Sequence, residues 1–212
     1  MTLESAFPWI SAASALAAVA AAPEGGWTRA LRTTALGALA LFAYFRWITP
    51  SSVPLALACQ ALGAALLPSA PGRWRRWAVL VPVFGWLVLA NLYLATGDGP
   101  VVFVQDAAKA SLFAVLAVGA GYGLWRAWRW TPPPRKGVAA EAVALLVMGA
   151  MSLTLDWDFW PVMAGALMSL AAFGAAIWGG RIGTGGPSPA LVRAGWALSF
   201  IGQAAMAYAF LR

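Results

Sequence analysis

Eight apolar stretches follow one another along the chain, at about residues 8–22, 29–48, 52–69, 77–96, 100–125, 138–155, 160–179 and 190–211. A helix rises about 1.5 Å per residue, so it needs roughly 20 apolar residues to cross the hydrocarbon core of a bilayer. These stretches lie near that length. Proline- and glycine-rich segments separate them: "APEGGW", "ITPSS", "PSAPGRWRR", "TGDGP", "TPPPRKG", "LDWDFWP" and "GGRIGTGGPSP". Such segments end helices. The expectation is therefore an all-α fold, a polytopic integral membrane bundle of about eight transmembrane helices, forming one transmembrane domain over residues 1–212. Composition agrees, with 62% hydrophobic and 10% charged residues, against about 45–50% and about 25% in soluble domains.

The charges test the count of spans. Arg29, Arg32, Arg73, Arg75, Arg76, Arg126, Arg129, Arg135, Lys136, Arg181 and Arg193 fall at the first, third, fifth and seventh connections. The other connections and the two ends carry Arg46 and Arg212, with Asp98, Asp156, Asp158 and Glu4. Basic residues favour the cytoplasmic side, which puts the odd connections inside and both termini outside. A miscount by one helix scrambles that alternation. The expected location is an inner (cytoplasmic) bacterial membrane. "MTLESAFPW" carries Glu4 and no basic residue, whereas a signal peptide opens with positive charge, so the first stretch reads as a retained helix. Trp74, Trp77, Trp125, Trp128, Trp130, Trp157 and Trp160 stand at the ends of stretches, as an interfacial aromatic belt requires.

Much chemistry is excluded. The chain has no histidine and a single cysteine, Cys59, which removes His-ligated haem, His-based zinc sites, His triads and any intrachain disulfide. No phosphate loop, nucleophile elbow or metal-ligand spacing occurs. No cofactor and no metal are expected. The net charge of +7 marks topology here, and no nucleic-acid partner is expected.

The candidate chemistry lies toward the outer side. In "QDAAKASLF", Asp106 and Lys109 stand three residues apart at the head of the fifth stretch. On one continuous helix they share a face and can pair, lowering the penalty of placing either in the membrane. The pair is open to two readings, a structural ion pair near the interface or a working site. Asn91 and Tyr93 near the end of the fourth stretch, and Asp156 in "TLDWDFWP", add polar groups on that side. Two carboxylates can divide acid and base roles when their surroundings split their pKa values, and Asp156 sits closest to an apolar run. Gln60, Ser152, Thr154, Ser169, Ser199 and Gln203 read as hydrogen-bonding groups between helices. The spacings Gly119-x-x-x-Gly123 and Gly165-x-x-x-Ser169 permit close helix contact.

The layout resembles the YhhN family of membrane proteins. The features that carry it are a basic residue opening the second stretch, "LACQALGAALLP", "GALMSLAAFGAAIW" and "WALSFIGQAAMAYAF". That family includes lysoplasmalogenases, which hydrolyse the vinyl ether bond of lysoplasmalogens to an aldehyde and a glycerophospho-base. Arg32-Thr33 stands where the family has Lys-Pro, Gly63-Ala64 where it has Gly-Asp, and Ala172-Phe173 where it has Ser-Asp. Its pattern of two tyrosines and a glutamine reads Ser199, Phe200 and Gln203. The resemblance implies eight helices and a lysophospholipid or other membrane lipid as partner, with Arg32 and Gln203 among the ligand-binding residues beside Lys109, Asn91 and Tyr93. With the two family aspartates replaced, catalysis falls to Asp106 and Asp156. The alternative is a scaffold without activity that binds lipid, assembles with partner subunits or forms a homo-oligomer.

The charge pattern fixes an orientation that can be checked. In a Cys59→Ala background, a membrane-impermeant thiol reagent applied to intact cells labels Asp98→Cys. It labels Thr184→Cys only after permeabilisation, and the reverse order overturns the orientation.

Overall fold

A computed structural model of the chain describes residues 3–21, 26–46, 50–66, 72–130, 135–179 and 188–210. Among these residues the structure is helical and contains no strand. Helices α1 (Leu3–Ala20), α2 (Gly26–Phe45), α3 (Ser52–Leu66) and α4 (Gly72–Thr96) fall on the first four apolar stretches. A short α5 (Val102–Gln105) precedes α6 (Ala107–Trp130), α7 (Arg135–Ser152), α8 (Trp160–Gly179) and α9 (Pro189–Ala209). Two segments, Ala78–Thr96 and Trp157–Ala175, are long and apolar enough to cross a membrane. The bent pair Gly99–Gln105 and Ala107–Gly119 makes a third if it is taken as one span, and Ser5–Ala20, Ser52–Leu66 and Ala139–Ser152 are apolar but shorter. The side chains of Glu4, Arg73, Arg75, Arg76, Arg126, Arg129, Arg135 and Lys136, those of Trp74, Trp77, Trp128 and Trp130, and Gly123, Arg181 and Arg212 lie outside the described residues.

The fifth stretch is not the continuous helix expected over 100–125. Gly99 adopts a left-handed φ of 72° and opens a 3-10 turn over Gly99–Val101 that runs into the single turn of α5. At Asp106 the backbone becomes extended, with φ −118° and ψ 102°, and α6 leaves at 109° to the preceding segment. The cause is local. Asp is a strong helix N-cap, and Asp106 Oδ1 accepts the backbone N–H groups of Ala108 at 2.9 Å and Lys109 at 3.1 Å. A new helix begins where the apolar run suggested only continuation.

Neighbours in the chain pack in series from α1 to α4, after which α4 lies against α7, and α7 also meets α6 and α8. Helix α9 packs along α8 and returns to α1 and α2. The main core joins Leu39, Leu57, Tyr93, Leu145, Met148 and Val162, all almost wholly enclosed, with Met206 of α9. Several contacts between helices need small residues. A Cβ on Gly202 would stand 2.5 Å from the Gly165 carbonyl oxygen and 2.9 Å from Ser169 Oγ, so the Gly165-x-x-x-Ser169 spacing is the α8–α9 contact. Between α3 and α4, a Cβ on Gly63 would meet the ring of Pro82 at 3.0 Å. Gly119 has open space around it, so its spacing to Gly123 marks no such contact.

The outside of the bundle is apolar: Trp27 is 84% exposed, Leu16 73%, Val118 73% and Val115 69%. Large apolar side chains are exposed on α1, α2, α3, α4, α6, α7 and α9 alike. Trp125, Trp157 and Trp160 are also exposed.

Gly202→Val is expected to lower stability by about 1–3 kcal/mol or more, the usual range for overpacking a closed contact. Gly119→Ala, which meets nothing within 4 Å, leaves stability unchanged or slightly raised. Thermal unfolding of the two variants in the same detergent checks the contrast.

Candidate functional site

The turn between α7 and α8 is unusually well packed for a connection. Backbone N–H groups of Leu153, Thr154 and Leu155 bond back to Ala150, Met151 and Ser152, and Leu153, Thr154 and Leu155 are fully buried. The backbone N–H of Asp98, just past α4, donates to the Thr154 carbonyl at 3.1 Å. Gly97 lies so close to Thr154 that a Cβ there would stand 2.5 Å from its hydroxyl. This turn and the end of α4 therefore form one knot.

Lys109 enters the same knot from α6. Its side chain is buried, 3% exposed, and Nζ donates to the Leu155 carbonyl at 2.6 Å. Nζ also stands 5.4 Å from the centre of the Trp157 ring, a cation–π distance. The edge of the same indole serves the anion: Trp157 Nε1 donates to Asp106 Oδ2 at 2.8 Å. Asp106 and Lys109 do not form the i, i+3 ion pair that a continuous helix would allow. The helix break redirects both, so that Trp157 mediates between them with its edge on the carboxylate and its face under the ammonium.

This geometry sets the charge state of Asp106, which lies in the junction outside both helices. The Lys109 backbone N–H, then the Trp157 indole and the Ala108 N–H, hold its carboxyl below the usual carboxylate range, and the nearby Lys109 charge adds to them. A carboxyl held in this way keeps its charge and is a poor proton donor.

The other sequence-derived candidates are scattered. Asp156 precedes Trp157 directly, and its side chain is exposed and makes no cap hydrogen bond. Asn91 is exposed on α4. Tyr93 is fully buried, its ring stacked on Phe210 at 6.2 Å, and its hydroxyl has no partner. Gln203 lines a small interior cavity with Gln60, Trp86, Leu57 and Met206. Its volume is about 10 Å³, room for about one water molecule. Gln60 Nε2 donates to the Pro82 carbonyl at 3.0 Å, while Gln203 Oε1 and Trp86 Nε1 are buried without partners. Arg32 lies elsewhere, its guanidinium 5.4 Å from the centre of the Trp196 ring.

Structure thus brings together Asp106 and Lys109 and separates Asn91, Tyr93, Gln203 and Arg32. The sequence reading missed Trp157 as their mediator and Leu155 as the acceptor. A carbonyl acceptor leaves no trace in a sequence, but an aspartate at the start of an apolar run after Gly-Pro is itself an N-cap signal. Among the described residues, no group of three or more His, Cys, Asp or Glu is placed to hold a metal. Compared with protein-family models, with curated proteins and with solved structures, the chain matches none of them.

Lys109→Met removes the ammonium and leaves the buried Leu155 carbonyl unmet, an expected loss of about 1–3 kcal/mol in unfolding free energy. Because the folded carboxyl of Asp106 is lowered, its contribution is fully present above its ordinary value near pH 4. That contribution is lost as pH falls through the lower folded value. Asp106→Asn is therefore expected to flatten the acid side of the stability profile, measured by thermal unfolding between neutral pH and about pH 3.

Proposed function

We propose that the chain is an integral membrane protein of eight spans, with both termini outside, that binds a membrane lipid and does not hydrolyse it. Support for the membrane setting comes from the apolar exterior, from polar side chains such as Ser11, Gln60, Lys109 and Ser169 turned inward, and from the alternating loop charges. The observation that carries the non-hydrolytic reading is the state of Asp106. Its carboxylate is occupied by two backbone N–H groups and an indole, and a vinyl ether needs a proton donor. The polar groups at the interior cavity, Gln60, Trp86 and Gln203, are neutral amides and an indole. Such groups exchange protons poorly.

A second reading, YhhN-like hydrolysis of lysoplasmalogen, has one observation in its favour: both outer carboxylates flank a single side chain. Asp106 bonds to Trp157 and Asp156 is its chain neighbour. Purified protein incubated with lysoplasmalogen separates the two. The binding reading expects aldehyde no higher than a detergent blank, with lipid co-purifying. Aldehyde release that disappears in Asp106→Asn combined with Asp156→Asn would overturn it in favour of the hydrolase.

A further inference from the structure

At the other end of the bundle several buried donor atoms are not satisfied. Arg32 of α2 has two buried nitrogens, Nε and Nη2, without a hydrogen-bond partner. On α9, Arg193 Nε and Trp196 Nε1 are in the same condition. Arg193 and Trp196 are three residues apart and share a helix face, and Trp196 carries the Arg32 guanidinium over its ring at 5.4 Å. These nitrogens are all donors, and none can accept. The Thr33 hydroxyl, next in the chain to Arg32, is also buried and unpartnered.

Buried donor nitrogens without an acceptor are disfavoured, and both arginine side chains are only half-buried, so a partner from outside can reach them. The described acids do not serve: Asp98 follows α4, Asp106 opens α6, and Asp156 and Asp158 precede α8, at the opposite end of antiparallel helices, while Glu141 stands on α7, which packs against α4, α6 and α8. Arg32 is the seventh residue of α2 and Arg193 the fifth of α9, about 9 Å and 6 Å from the helix starts at 1.5 Å per residue. That depth suits a headgroup phosphate, and the N-terminal ends of both helices add positive potential. Below the arginines the surroundings turn apolar: Ala15, Ala18, Leu36 and Ala61 are buried with Trp196, and Phe200 packs against them. These enclosed residues hold the Trp196 ring in place beneath the arginines.

We propose that Arg32, Arg193 and Trp196 form a binding site for the phosphate of a phospholipid headgroup. The two guanidinium forks and the indole N–H supply the donors, since Arg pairs with phosphate in a planar two-point geometry. The site rests on the proposed membrane-embedded, lipid-binding reading, and it lies away from the Asp106–Trp157–Lys109 cluster.

The test is thermal unfolding of the purified full chain in detergent with short-chain phosphatidylglycerol, the matching diacylglycerol, or inorganic phosphate. For the wild type, stabilisation by phosphatidylglycerol and none by diacylglycerol is expected, with affinity falling about tenfold or more in Arg32→Gln combined with Arg193→Gln. Trp196→Phe keeps the ring and removes one donor, and gives a smaller loss in the same direction should the double variant not fold. Inorganic phosphate that stabilises as well as the phospholipid supports the anion site with free phosphate as its source. Equal stabilisation of wild type and variants by phosphatidylglycerol overturns the site and leaves lipid binding standing. No stabilisation by any of the three overturns both.

Discussion

A polar group inside an apolar bundle must be met from within, and much of this structure follows from that rule. Gln60 of α3 is buried and donates to the Pro82 carbonyl of α4. Ser11 of α1 donates to the Ala35 carbonyl of α2 at 2.8 Å. Lys109 reaches the carbonyl that the α7–α8 turn leaves at Leu155. In each case a buried polar side chain of one helix finds its acceptor on the backbone of another segment. A helix pair that hydrophobic contact alone would leave free to slide is thereby given a register.

The two ends of the bundle answer the rule differently. Around Asp106 the account is closed: each charge has named partners, and Trp157 serves both. Around Arg32 and Trp196 there is an excess of donors. Closed electrostatics hold a fold together, whereas an open set of donors in an apolar setting asks for something from outside. By this contrast the interest of the molecule shifts from its aspartates to its arginines.

The helical class was legible in the sequence, because apolar length and Pro/Gly punctuation are properties of contiguous residues. Among the described residues helices cover the expected apolar stretches, two of them long and apolar enough to cross a membrane, and Gly165 and Ser169 meet α9 as their spacing suggested. The site was legible only in part. Asp106 and Lys109 drew attention correctly as residues, but their relation depended on whether the backbone stayed helical at Asp106, and apolar content could not say. Capping competes with helix continuation at one residue. Its outcome here is tied to the N–H groups it satisfies and to an indole 51 residues away. Long-range partners of this kind, like the meeting of Arg32 with Trp196, are invisible to periodicity.

The bend at Asp106 has a consequence for chain order. Successive helices usually lie side by side, yet α4 packs on α7, with α6 on another flank of α7. The few residues of the 3-10 turn and α5 run sideways at 109° to α6, carrying the chain past the place beside α4 before it turns back into the bundle. That lateral step keeps the seat next to α4 free until α7 arrives to fill it. The bend at Asp106 thus goes together with the pairing of α4 with α7 and the placing of α6 against α7 instead.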